Sequence, residues 1–422
     1  MYIGIYVLNS IFAKKNYMYQ ISELSNGIRL VHKYVDSDVA HCGIIINTGS
    51  RDEDENQSGL AHFTEHMLFK GTKHRKTFHI LSRLEDVGGE IDAYTSKEET
   101  CVTASFLNEF YERAIELLND VVFNSTFPER EFEREREVII DEINSYKDSP
   151  VDTIYDLFEE MIFPKHPLGR NILGSQKLLK KFKVDEIRTF VAKKYNTDQM
   201  VFASIGKIKF DRLQKLCKKY LEQNPANYRN YKRIEFNNKT VFEKKIARKT
   251  HQLHCIIGTY AYSYKNPKRL PFFMINNLLA GPGMNSRLNL LLREKKGFSY
   301  NIESNYTNYE DTGSFTIYFS SDKNNHEIAL ELIFKEFSAL KSKSLGTLQL
   351  NKMKKQLIGQ LAIANEIHSN VLMGIGKSVL VYNNVETLKE MYSEIEKVTE
   401  SDILEVANEI LNKDNFSKLI FY

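Results

Sequence analysis

GLAHFTEHMLFKGTKHR, residues 59–75, holds two histidines four apart, His62 and His66, with Glu65 directly before the second. The apolar spacing of LAHFTEHMLF predicts a helix. On it, residues four apart differ by roughly 40° in azimuth, so His62 and His66 share a face and can reach one ion. Glu65 lies beside His66 and one turn beyond His62. The order H-x-x-E-H reverses that of the zinc-peptidase motif H-E-x-x-H while keeping the same triangle of side chains.

The segments around this helix read as strands and helices. ISELSNGIRLVHKYV carries an Asn-Gly turn between apolar stretches, a hairpin signal. AHCGIIINTGS reads as a buried strand, and GGEIDAYTSKEETCVTASFL as one or two extended strands entered through Gly88 and Gly89. ERAIELLNDVVF, EREFEREREVIIDEINSY, TIYDLFEEMIF and VDEIRTFVAKKY follow as helices, and QMVFASIGKI closes as a strand. The second half repeats the order. HQLHCIIGTYAY, FSYNIESNY, GSFTIYFSS and FSKLIFY read as strands. FFMINNLLAG, SRLNLLLREK, HEIALELIFKEFSAL, LQLNKMKKQLIGQLAIANE and SDILEVANEILN read as helices. A long-period duplication of this kind predicts an α+β chain of two tandem homologous domains, each a mainly antiparallel sheet packed with helices. Residues 1–225 form the first, 226–239 a polar, asparagine-rich linker and 240–422 the second. Only the first carries the histidine motif.

Composition excludes several classes. With 422 residues, 42% of them hydrophobic, 27% charged and a net charge of +3, the chain is a globular protein too long for one core. The charge is too small and too dispersed for a nucleic-acid footprint, and the basic stretch KKFKVDEIRTFVAKKYN has the spacing of a solvated amphipathic helix. No apolar run approaches the ~20 residues of a membrane span. The four cysteines are scattered, so buried thiols in a reducing, cytoplasmic setting are expected. The opening MYIGIYVLNSIFAKK is apolar and then basic, the reverse of a secretory signal, and reads as a frayed or start-site-extended terminus.

A catalytic zinc takes three protein ligands and keeps a position for water. The helix EREFEREREVIIDEINSYKDSP is the best source of the third. Its Glu135 and Glu142 are seven apart and nearly in register, with Val138 and Ile139 between them on the same side, as for acids held inside a domain. His74 and His79 fall in a basic, loop-like stretch and read as surface residues, and the other histidines show no ligand spacing. An H-x-x-E-H on a helix is by itself common, and a Glu/Arg-rich helix is ordinarily a solvated face stitched by i,i+4 pairs. Here the motif, the glutamate pair and the duplication occur together.

In this combination the chain resembles the pitrilysin/insulinase family of zinc peptidases, in its small bacterial processing-peptidase-like branch, from about Tyr19 onward. GLAHFTEHMLFKGT is similar to the family's zinc helix. Glu135, Arg136, Val138, Ile139 and Glu142 follow its ERxxVxxE pattern, and AGPGMNSRLNLLLREKKGFSY its C-terminal-domain signature. The resemblance implies one zinc per chain held by His62, His66 and Glu142, with Glu65 as general base and Glu135 as the acid supporting the site. It places the substrate-binding edge at Asp92 and Ala93, where the family's usual pair is Asn-Ala. An ionised Asp accepts hydrogen bonds but cannot donate them as an amide does. It further implies that Arg293 and Tyr300 reach the substrate from an opposing domain and help polarise the scissile carbonyl. A metalloendopeptidase acting on peptides or unfolded segments within a chamber closed by a homodimer is the leading expectation. Against it stand a non-catalytic scaffold, a subunit of a processing-peptidase-like hetero-complex, and a structural zinc site, which ordinarily has four protein ligands.

Overall fold

The computed structural model describes residues 18–422, so the reading of the opening segment lies outside the described residues. The first sheet comprises β1 (Gln20–Glu23), β2 (Arg29–Tyr34), β3 (Val39–Ile46), β4 (Glu90–Thr95), β5 (Thr100–Leu107) and β6 (Met200–Gly206). Its order is β1-β2-β6-β3-β5-β4, with only the β2–β6 pair parallel. The second comprises β7 (Glu243–Ile246), β8 (Leu253–Ala261), β9 (Ile302–Asn308), β10 (Gly313–Ser321) and β11 (Ser417–Phe421), in the order β7-β11-β8-β10-β9, with only β7–β11 parallel. Set β1 aside and the two orders coincide: the first strand lies beside the last, then come the second, fourth and third. The duplication read from the sequence is one of topology.

The helices follow the same plan. After β3 come α1 (Leu60–Leu68) and α2 (Thr77–Glu85). After β5 come α3 (Tyr111–Phe123), α4 (Glu129–Asp148), α5 (Pro150–Ile162), α6 (Gln176–Leu179) and α7 (Val184–Lys194), and after β6 comes α8 (Phe210–Tyr220). The second half has α9 (Arg269–Ala280) and a π-helical turn, Asn289–Lys295, between β8 and β9. After β10 follow α10 (His326–Ser342), α11 (Thr347–Asn365), α12 (His368–Tyr382), α13 (Leu388–Lys397) and α14 (Glu400–Ile410). One face of each sheet packs on its own half's helices. The other face is covered by a helix from the opposite half. Val371, Leu372, Ile375 and Val379 of α12 lie on Val31, Ile45, Val201, Ala203 and Ile205 of the first sheet. Ile154, Phe158 and Ile162 of α5 lie on Ile256, Tyr260, Tyr318 and Leu419 of the second. Each sheet therefore depends on the other half for one side of its core.

The structure corrects several sequence expectations. His79 lies on α2 rather than in a loop, though it is exposed as expected. Val138 turns to solvent at 49% exposure while Ile139 is fully buried, so of the two it is Ile139 that shares the inner side of α4 with Glu135. The strand expected over FSYNIESNY begins only at Ile302. Residues 226–239 form no regular element, yet they are not a loose tether: Arg233 grips Asp52 through two hydrogen bonds (3.0 and 2.8 Å), and Phe236 is buried.

Candidate metal centre

Helix α1 is anchored at both ends of its inner face. Gly59 sits before its first turn with φ +98°, and a Cβ there would come within 2.7 Å of the Leu173 carbonyl oxygen. No other residue type fits so close a contact in that backbone conformation. Leu60, Ala61, Phe63, Met67 and Leu68 are buried in the first core. Phe63 stacks on Phe132 of α4, with ring centroids 4.5 Å apart and planes 5° from parallel. That stack joins the histidine helix to the glutamate helix.

Across this contact the site assembles. Nε2 of His62 lies 3.8 Å, and Nε2 of His66 3.7 Å, from Oε2 of Glu142. Among the described residues, His62, His66 and Glu142 form a group whose ligand atoms all lie within 4.8 Å of one another. A tetrahedral cation with ligands 2.0–2.2 Å away holds them about 3.4 Å apart, so small side-chain movements suffice to close the set on one ion. Burial, with the neighbouring His66 adding to it, lowers the His62 pKa to about 3 and keeps its ring neutral, the form that binds metals. Its Nδ1 is buried with no hydrogen-bond partner. Nδ1 of His66 lies 3.2 Å from Oε2 of Glu135. Donating from Nδ1 leaves the lone pair of Nε2 facing Glu142, the tautomer a ligand needs. The residues present fit a divalent cation with nitrogen and oxygen ligands.

The other expected site residues divide. Glu65 is half-buried; burial pushes its carboxyl above the ordinary range, and the charges of Asp92 and Glu142 add to that. Burial would also raise Glu135, but His66 and Lys70 outweigh it and hold its carboxyl low. Asp92 and Ala93 lie on β4, the outer strand of the first sheet, as expected for an edge. The Asp92 carboxylate already accepts a hydrogen bond from the Ala93 N–H (2.9 Å). Arg293, in the π-helical turn, pairs with its neighbour Glu294, and Tyr300 projects outward at 80% exposure. The structure brings neither into the His62, His66 and Glu142 group.

Two residues of this region escaped the sequence reading. Lys70, one turn beyond His66, contacts Glu135 at 2.7 Å, so that glutamate bridges an imidazole and an ammonium. The i,i+4 spacing from His66 was a signal for it. Glu53 is buried below the start of α1 and accepts hydrogen bonds from the backbone N–H groups of Gly59 and Ala61. An acid several residues upstream of a glycine-started helix is a weak signal, because helix caps are normally sought at the adjoining position.

The sequence matches the family described as Insulinase (Peptidase family M16) over residues 29–176, and Peptidase M16 inactive domain over residues 181–357. It is 32% identical to "Uncharacterized zinc protease YmxG" of Bacillus subtilis over 94% of this chain and 96% of that one. It is 28% identical to "Mitochondrial-processing peptidase subunit beta" of Saccharomyces cerevisiae over 92% of this chain and 86% of that one. Among solved structures, a protease from Helicobacter pylori shares the fold with a TM-score of 0.88 at 21% identity, covering 96% of this chain and 99% of that one. The two-sheet architecture, the convergence of α1 and α4, and these matches lead to one conclusion: the chain belongs to the insulinase family of peptidases, M16.

Proposed function

We propose that the protein is a zinc-dependent metalloendopeptidase in which His62, His66 and Glu142 hold the metal and Glu65 is the general base. The observation that carries this reading is the approach of both histidine Nε2 atoms to one oxygen of Glu142 at 3.7 and 3.8 Å. A bound zinc ion supplies Lewis acidity to water and to the scissile carbonyl. Glu65 takes the proton of the attacking water and delivers it to the departing amine. Glu135 fixes the His66 ring through Nδ1. An extended peptide adds to the open edge of β4 by backbone hydrogen bonds, displacing Asp92 from the Ala93 N–H as it pairs. Arg293 and Tyr300 belong to the second half, outside the metal-binding group, and act as donors to the developing oxyanion when the second half of a partner copy closes over the site. A homodimer is the form in which they do so. The four free, buried thiols accord with a cytoplasmic location.

The yeast relative is named as a subunit, which favours one second reading, a hetero-complex in which a distinct chain completes the chamber. Sedimentation of the purified protein, alone and after coexpression with candidate partners, separates the two readings. The test of the chemistry is Glu65→Gln. Zinc content should stay at that of the parent while peptide cleavage falls by at least about 100-fold. Equal cleavage by parent and variant would remove Glu65 from the mechanism.

A further inference from the structure

Three consecutive residues in the turn before α1 point to three different parts of the molecule. Arg51 reaches the second half, where Nη1 and Nη2 lie 2.7 and 2.9 Å from the two oxygens of Asp311. Asp52 receives Arg233 of the connecting segment. Glu53 reaches α1: Oε1 accepts from the Ala61 N–H at 2.7 Å and Oε2 from the Gly59 N–H at 3.2 Å. The backbone carbonyl of Glu53 is itself held by the Arg170 guanidinium at 2.6 Å. All three residues of the turn are buried.

From this arrangement we infer that Glu53 is a positioning residue for the metal centre, fixing the rotation of α1 so that His62 and His66 face Glu142. The inference rests on the zinc reading of that centre. The first N–H groups of a helix have no partner within it. A serine or aspartate at the adjoining position would satisfy one of them, but α1 begins at a glycine, which has no side chain to do so. Glu53 supplies both oxygens from outside the helix. Two hydrogen bonds to N–H groups two residues apart fix rotation about the helix axis as well as position along it, which a single cap cannot do. His62 is the residue after the second of these donors. A small rotation of α1 moves both imidazoles together relative to Glu142, which stands on a separate helix. Burying an acid away from water is costly, and an ordinary cap at the helix end would avoid that cost. Through Arg51 and Asp52 the same turn is seated against the second half and the connecting segment, so the histidine helix is registered to both.

The test compares Glu53→Gln with the parent. Glutamine keeps one accepting oxygen and turns an amide N–H toward the second donor, so the bidentate grip is lost with little change in volume. Zinc affinity is measured by competition with a chromogenic chelator, with kcat and KM for a peptide and the thermal midpoint alongside. Expected are zinc binding weakened about tenfold or more and a lower kcat, with KM within twofold and a folded protein by circular dichroism. Arg170→Lys, which loosens the Glu53 carbonyl without touching α1, should weaken zinc in the same direction by a smaller factor, and it serves should the glutamine variant not fold. A purely structural role would lower the thermal midpoint and leave zinc affinity unchanged in both variants, and that result would overturn the inference. If the parent binds zinc but cleaves nothing, the peptidase reading fails while the difference in zinc affinity still decides the role of Glu53.

Discussion

The two halves share a strand order and differ in what the equivalent helices carry. In the first half α1 presents His62, Glu65 and His66, and α4, packed against it, presents Glu135 and Glu142. In the second half the corresponding pair is α9, RLPFFMINNLLA, and α11, TLQLNKMKKQLIGQLAIAN. Neither contains a histidine, cysteine, aspartate or glutamate. All of α9 except Leu278 is buried, so its role is core formation. One frame thus supports a polar centre in one copy and an apolar core in the other. Fold and site are separable, and five side chains on two helices make the difference.

The halves also exchange cover helices with opposite detail. Phe158 of α5 lies over Gly258 of β8, where a Cβ would come within 2.8 Å of its ring. On the other side Gly376 of α12 lies over Ile45 of β3, where a Cβ would come within 2.4 Å of Cδ1. The bulk sits on the helix in one contact and on the strand in the other. Phe158→Ala should therefore cost about 3–5 kcal/mol and destabilise the second sheet, although Phe158 belongs to the first half. Urea unfolding followed by probes in each half would show it, and a loss confined to the first half would break the account of exchanged helices.

Next in size is the asymmetry of the two helix pairs. Glu135→Gln should weaken zinc binding about 10–100-fold, because the charged acceptor that orients the His66 Nδ1–H is replaced by a neutral amide. Lys354→Gln, on the equivalent helix of the second half, removes a buried ammonium bonded to the Glu396 carbonyl and should leave zinc affinity unchanged. Equal losses from both variants would mean that the effect is general destabilisation rather than support of one centre.

A last contrast sets two sheet histidines against each other. His32 of β2 is fully buried between Ser204 and the Ile208 carbonyl, and burial lowers its pKa to about 4. Its unfolded value is 6.5. Between those values the unfolded chain binds the proton and the folded chain does not, so stability falls as pH drops from 6.5 toward 4, by about 3 kcal/mol at most. His254 of β8, half-buried against the Tyr318 hydroxyl, is lowered as well. His32→Gln should flatten the dependence of stability on pH over this window more than His254→Gln does. The reverse order would contradict the burial assigned to His32.

Much of this was legible in the sequence. The duplication, the hairpin at Asn26 and Gly27, and helices α1 and α4 follow from apolar periodicity and turn chemistry, and the spacings within HFTEH and between Glu135 and Glu142 pointed to the centre. What escaped was governed by tertiary contact. HSNVLMGIGKSVLVY carries two glycines and little amphipathic contrast, yet it is α12: it lies against the first sheet, and Gly376 permits the close approach. β7, EKKI, is nearly all charged and is a strand because β11 pairs with it. Periodicity alone places Val138 inward, because it gives the azimuth of a residue on α4 without saying where its neighbours end. Glu53 was missed because its partners are backbone N–H groups, which no side-chain pattern records.

Whether His62, His66 and Glu142 share one metal ion is decided by zinc-edge X-ray absorption on the purified chain, with metal content measured on the same samples. One zinc per chain is expected, coordinated by two imidazole nitrogens and a carboxylate oxygen with no sulfur, and that signal should be lost in His66→Ala and Glu142→Gln. A zinc ion retained with an unchanged spectrum in either variant would contradict it.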